Sequence, residues 1–501
     1  MLRRIWLGLL VLTLMVVPAL ADQIDGLASS GQAAPNALQD LHVNPGAMGD
    51  VLVFPYYNAR TGLNYFKIVN TSDRGIIGKL RLREGKESEE VLDFIVCLSP
   101  HDEFSFWVVD PQLVGLSGNT AVVLRDDSGT GFMADDDTVV APGGWTVAQT
   151  RTTTSAGKNI APERTMEGYI EFFAMSAVPV ADSAAFHQLI DGADACLAAA
   201  QGGLANLEDA PNALVGEGYI FNLKNITDQD GVSTYAYKAV ALANFTSRVL
   251  TAGLTTDRPL FADADAGLAG VNYVFTKSNL YGLYDLQNYV SGKTDLILNF
   301  ITKKEIVDAG LAAGYYDPSN CTDEDYTKCC VPITARVYDD EENTPTAGVD
   351  FSPVPPGQQP QVCNEVTYLP VGTNATPILD TALRELNIVT SYELGWVRLS
   401  FNMGSTTVSR VTANGQPVLA LQLQSYIGGA ADQAMPVAYD LEVVGGGQGG
   451  GQGGGQGGGQ QGPSTQIGGQ TVTCNTDCAA TFGANIGDLV ACQVWQQQNC
   501  L

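Results

Sequence analysis

Clustered carboxylates are the residues best placed to do chemistry in this chain, and the chemistry they suggest is calcium binding. A hard divalent cation takes oxygen ligands from a tight, glycine-assisted loop. Asp126, Asp127 and Ser128 face Asp135, Asp136 and Asp137 across residues 129–134, which makes this loop the first candidate. Asp228-Gln229-Asp230-Gly231 is half of a calcium loop of the D-x-D-x-D-G kind, with Ile226 standing where the first carboxylate belongs. Asp263 and Asp265 precede Gly267, and Asp339, Asp340, Glu341 and Glu342 form a charge run. The competing explanation is plain: turns collect Asp and Gly for backbone reasons alone. No cofactor other than Ca2+ is suggested.

Signals for catalysis are sparse. Gly115-Leu116-Ser117-Gly118 lacks the spacing of a nucleophile elbow. The sequence holds no H-E-x-x-H, no phosphate-cradling loop and no haem-attachment motif. Its 3 histidines are His42, His101 beside Asp102, and His187 in an alanine-rich stretch. Adjacent strand residues point to opposite faces, so His101 and Asp102 do not form a dyad, and turn or surface roles are expected for all three. Carboxylate pairs for glycoside hydrolysis are defined by separation in space, which the order of 54 Asp and Glu residues does not reveal. No catalytic residue is assigned.

Ten cysteines fall in three even sets: Cys97 with Cys196; Cys321, Cys329, Cys330 and Cys363; and Cys474, Cys478, Cys492 and Cys500. In an exported chain an even count reads as disulfides, paired within each set. The vicinal Cys329 and Cys330 bond badly to each other, so they are expected to go separately to Cys321 and Cys363. The last set lies beyond a run of glycine and glutamine from Gly445 to Gly462. Such a run buries almost nothing and stays a flexible tether, with a root-mean-square span of about 23 Å. The tail it carries is too small to fold without staples, and its four cysteines leave three connectivities open.

Export is read from the first residues. Arg3 and Arg4 precede an apolar run, and Ala19 and Ala21 offer small side chains to a signal peptidase, so 1–21 is a signal peptide and Asp22 the mature start. No later apolar stretch is long enough to span a membrane. The formal charge of −28 repels nucleic acid and anionic lipid. After an N-terminal extension, 22–45, the pattern is β. Val51-Leu52-Val53-Phe54, Tyr65 to Val69, Val91 to Leu98 and Phe104 to Val109 are short strands between polar turns. Lys79-Leu80-Arg81-Leu82-Arg83 alternates as a half-buried strand does. Helices are expected at 182–201, behind an Asp cap, and at 376–385.

The segments VLVFPYYN (51–58), YFKIVNTS (65–72), EEVLDFIVCLSP (89–100), EGYIEF (167–172), TDLILNFITKKEIVD (294–308), YDDEENT (338–344) and GWVRLSF (395–401) resemble an uncharacterised family of secreted bacterial β-rich proteins. The resemblance implies export and a β fold, and no activity. The architecture expected is mainly β: two or three Ig-like or β-sandwich domains with short helices, plus a stapled C-terminal unit. The body divides as 46–300, a sandwich of one or two domains, and 301–444, a second β-rich domain with the cysteine cluster. The linker 445–463 and the tail 464–501 follow. The reading is a secreted, extracellular, periplasmic or cell-surface protein, structural or adhesive rather than enzymatic, with its tail as a docking or cross-linking element. A cell-surface component, a glycan or self-association would supply the partner. The alternative is a secreted polysaccharide hydrolase with a targeting tail.

Overall fold

The computed structural model describes residues 42–125, 146–182, 210–243, 271–308, 328–343, 351–401 and 405–445, each with short exceptions, together with 208, 132–134, 138–140, 464–467 and 470–473. Residues 1–21, the last four cysteines and most of the 182–201 stretch lie outside the described residues. The chain forms two compact units, 1–446 and 447–501. Within the second, Ser464–Ile467 and Gln470–Thr473 pair as an antiparallel hairpin. No helix among the described residues is long and apolar enough to cross a membrane.

The body is mainly β. Its long strands are β1 (Val51–Asn58), β2 (Gly62–Asn70), β3 (Gly75–Glu84), β4 (Glu90–Leu98), β5 (Glu103–Val109), β6 (Glu167–Val178), β7 (Leu214–Asn222), β8 (Asn279–Asp285), β9 (Lys293–Asn299), β10 (Val331–Asp339), β11 (Val366–Val371), β12 (Leu394–Phe401) and β13 (Leu419–Ser425). They build four antiparallel sheets, apart from one parallel contact of β11. A front outer sheet has the order Ser233–Lys238, β7, β2, β5, Val122–Arg125, Thr146–Gln149, Thr138–Val140. A front inner sheet runs His42–Val43, Val240–Ala243, β1, β6, β3, β4, Phe132–Ala134. The back inner sheet runs Phe351–Ser352, Asn387–Ile388, β11, β9, β13, Gln433–Pro436, and the back outer sheet Gln361–Val362, β10, β12, β8, Ala438–Asp440.

Burial along the strands shows how these sheets stack. In the outer sheets it alternates: Phe66 and Ile68 are buried in β2, while Tyr65, Lys67 and Val69 are half-exposed. In the inner sheets β1, β3, β6 and β11 are buried at every residue. Side chains alternate in direction with period two, so a strand buried throughout has a neighbour on each face. β9 displays both. Leu296 and Leu298 enter one core with Leu280, Val397 and Leu399 of the back outer sheet, while Ile297 enters the core shared with the front half. Phe54 meets Phe66 edge-on at 5.2 Å across the front pair, and Tyr56 meets Tyr368 at 6.1 Å between the halves. The order is therefore front outer, front inner, back inner, back outer. One apolar core crosses the middle of the stack, so the two halves are not independent sandwiches.

A bulge makes that middle contact. Gly168 pairs with Tyr57 and Ile170 with Phe54, so Pro55 and Tyr56 together oppose Tyr169. The extra residue turns Tyr56 towards the back half, although Phe54, two places earlier, packs on the front outer sheet. Gly168 is required there, because a Cβ would lie 1.8 Å from the Arg83 carbonyl oxygen. Gly168→Ala should therefore lower stability by about 2–4 kcal/mol. Gly115→Ala, at positive φ but with open space around it, should lose roughly 1 kcal/mol. Urea midpoints at constant m-value check the difference.

Two expectations are corrected. The stretch 376–385 is not a helix: it is an irregular loop ending in the short strand at Asn387. The Ile378 and Ala382 N–H groups go to buried carboxylates and that of Leu379 to the Tyr368 hydroxyl, rather than to carbonyls four residues back. The 79–83 segment is buried on both faces, not half-buried, because its cations are paired inside the stack. A short helix that the pattern did not signal, Lys303–Asp308, follows β9.

Candidate functional site

Ionisable groups that sequence order scatters along the chain meet at the seam between the two halves. On β3, Lys79, Arg81 and Arg83 share the face turned away from the front outer sheet. Lys79 pairs with Asp93, Arg81 with Glu90 at 3.0 Å, and Arg83 with Glu171 at 2.9 Å. Arg81 also lies over the Phe173 ring at 5.3 Å. Arg81 and Arg83 are among the largest fully buried side chains of the molecule. Charges so deep persist only because each has a counter-charge within reach.

Beside this ladder the β3–β4 hairpin turns around one carboxylate. Glu84 accepts hydrogen bonds from the backbone N–H groups of Lys86 at 2.9 Å, Glu87 at 2.8 Å and Glu89 at 3.3 Å, and from the Arg164 guanidinium at 2.6 Å. Burial pushes the Glu87 carboxyl up, but the bonds from Arg164 and Lys158 outweigh it and hold the group below its ordinary range. The hairpin then reaches the back half. Val366 N–H donates to the Gly85 carbonyl and Glu365 N–H to the Lys86 carbonyl, and Lys304 pairs with Glu89 at 3.4 Å.

The second contact of the seam is the loop 377–385, gripped from both sides. Glu167 of β6 accepts from Thr381 Oγ1 at 2.6 Å, Ala382 N–H at 2.7 Å and Tyr56 Oη at 3.1 Å, with Arg60 Nε 2.7 Å away. Asp295 of β9 accepts from Ile378 N–H at 2.6 Å. Glu385 accepts from Cys363 and Asn364 N–H at 2.8 and 3.1 Å. Burial raises the Glu167 carboxyl despite its donors, and pushes Asp295 up to about 7. Between this loop and Asn222 lies a cleft of about 390 Å3, lined also by Pro377, Leu379, Asp380, Thr381 and Arg384. The cleft is shallow and polar. Glu167 and Asp295 serve its wall from behind and do not open into it.

The sequence candidates fall elsewhere. Asp126, Asp127, Asp135, Asp136 and Asp137 lie outside the described residues, as do Asp228, Asp230, Asp263, Asp265 and His187. In the 339–342 run, Asp339 turns its carboxylate on its own loop, accepting from Glu341 and Asn343 N–H at 3.0 and 2.7 Å. Among the described residues no group of three or more His, Cys, Asp or Glu could hold a metal ion. His101 bonds Asp73 at 2.8 Å through Nε2 in an exposed turn. Cys330 is bonded to Cys363, and Cys97 and Cys329 are also in disulfides. Cys196, Cys321, Cys474, Cys478, Cys492 and Cys500 lie outside the described residues. Sequence reasoning missed Glu84, Glu167, Asp295 and Glu385; for Asp295 and Glu167 the loop they hold is 83 and 215 residues away and leaves no local pattern.

No protein family, curated protein or solved structure matches the chain. What the geometry defines is a class of object: a β-rich body whose inner charges serve as clamps.

Two measurements follow. Arg83→Met should destabilise by about 3–5 kcal/mol by leaving Glu171 buried and unpaired, and adding Glu171→Leu should recover most of the loss; chemical denaturation of both variants checks it. Asp295 binds its proton more tightly folded than unfolded, so its contribution to stability is complete below the ordinary Asp range and is lost as pH rises to about 7. Asp295→Asn should flatten the difference in stability between pH 4 and pH 8, read by denaturation at both pH values.

Proposed function

We propose that the protein is an exported structural or adhesive component of the cell surface, non-enzymatic, with the four-sheet body as scaffold and the tethered tail as its docking or cross-linking element. The observation that carries this reading is how the buried ionisable groups are used. Glu84, Glu167, Asp295 and Glu385 are each committed to backbone N–H groups of neighbouring loops, and Lys79, Arg81 and Arg83 to carboxylates. Groups committed in this way hold pieces of chain together and resist separation; they are not poised to exchange protons with a substrate. The outer faces support the same reading. Tyr65 packs on Trp107 at 4.4 Å and near Tyr219 at 6.0 Å, straight across three strands. Such cross-strand ring pairs brace a sheet.

Export, the reading of 1–21 as a signal peptide and the kinship with secreted bacterial β-rich proteins belong to the proposal. So does the tail's role, which rests on effective concentration: a flexible leash of about 23 Å lets a stapled head search for a contact near the body. A chain ending at Val444 should fold as the full body does, by unchanged denaturation of its core, yet be released from cells into the medium. Retention of the truncated body on cells would overturn the docking role. Loss of a measurable polysaccharide hydrolysis on substituting one Asp or Glu would overturn the non-enzymatic reading in favour of a hydrolase.

A further inference from the structure

The outward face of the back outer sheet gathers arginine and aromatic side chains in a chain that is acidic as a whole. On β10, β12 and β8 the core takes Val337, Val397 and Leu280, so the alternate positions point away from the stack. They read Arg336 and Tyr338 on β10, Arg398 and Trp396 on β12, and Tyr281 and Leu283 on β8. Leu283 is 53% exposed, one of the few large apolar side chains left open among the described residues. By register Leu283 stands opposite Trp396, and Trp396 opposite Tyr338, where the rings stack at 3.8 Å and 10°. Tyrosine, tryptophan and arginine around an exposed leucine are the residues that dominate the energetics of protein interfaces.

Charge is graded along the same face. Arg336 and Arg398 stand directly opposite each other in the register, an arrangement of like charges that is unfavourable in isolation. Arg398 is eased by Asn279 Oδ1 at 2.8 Å and the Tyr281 ring at 6.0 Å. Arg336 is exposed and makes no ion pair with the described residues. At the other end of the strands lie Asp285, Asp340 and Glu393, the last two exposed. On β10, β12 and β8 the outward face thus passes from Arg336, Arg398 and Tyr281, through the row Tyr338, Trp396 and Leu283, to Asp340, Glu393 and Asp285.

Such a face is complementary to itself. Turned over about an axis along the row Leu283, Trp396 and Tyr338, its basic end lies on its own acidic end and its apolar row on its own apolar row. We propose that this face is a docking surface for a second copy of the chain, packed face to face with strands antiparallel and Arg336 of each copy against Asp340 of the other. This is an isologous, two-fold contact, which closes as a dimer. It deepens the structural reading by naming the partner of the body, and it rests on the face alone, not on the tail.

Sedimentation velocity of the full mature chain over roughly 1–100 µM tests it, a range suited to an interface of modest size. The wild type should dimerise with rising concentration, and less so in high salt. Arg336→Asp and Asp340→Arg, both at exposed sites, should each weaken self-association at least tenfold. Mixed together, the two variants should associate again, because each supplies the charge the other lacks. A wild type that stays monomeric throughout, variants that dimerise as well as the wild type, or a mixture that stays monomeric would each overturn the proposal. A monomeric wild type that is still held on cells by its tail would overturn this face and leave the structural reading standing.

Discussion

A carboxylate removed from water must find donors in the fold or give up its charge. Glu167 and Asp295 meet that constraint at the centre of this molecule, and the joining of the halves depends on how they do so. One comes from the front inner sheet and the other from the back inner sheet, and both take backbone N–H groups of the same loop. The loop cannot leave either sheet without taking a donor from that sheet's buried acid. With Glu84 organising the β3–β4 hairpin against β11, these contacts convert two sheet pairs into a single four-layer body.

The ion ladder on β3 follows from the same geometry. A sheet sandwiched between others has no solvent face on which to place Lys79, Arg81 and Arg83, so their charges must be matched where they lie. The strand pairing does this by setting Glu171 of β6 and Asp93 of β4 on either side of Arg81 in the register. Replacing such pairs by apolar residues of similar size is often neutral for stability, so retained ion pairs are better viewed as fixing which strands lie side by side. In a sheet of seven strands, where a slip of one residue would turn every side chain over, that selectivity has value.

Disulfides add a local constraint to this frame. Cys363, bonded to Cys330, stands beside Glu365, whose backbone groups bridge the β3–β4 hairpin and the end of β9. The covalent link ties the start of β10 to the segment leading into β11, so an outer and an inner sheet of the back half are joined near the seam. The outer sheets, by contrast, turn one face away from the stack. There the stacked rings of Tyr65 with Trp107, and of Tyr338 with Trp396, lend rigidity to strands that lack a neighbour on that side.

Much of the secondary structure was legible in the sequence because it depends on short-range patterning. Strands at 51–58, 90–98 and 103–109 announce themselves by apolar runs between polar turns. Residue order also shows the even sets of cysteines and the run of glycine and glutamine at 445–462. The stacking was not legible, since Lys79-Leu80-Arg81-Leu82-Arg83 carries the same alternation whether its polar face meets water or a buried set of acids. Nor could the loop at 377–385 be told from a weak helix, because the groups that hold it, Glu167 and Asp295, lie more than eighty residues away. Local periodicity determined which segments are strands. Which faces are dry, which acids are clamps and which face remains open were decided only when distant strands were brought side by side, since burial and pairing are properties of neighbours in space.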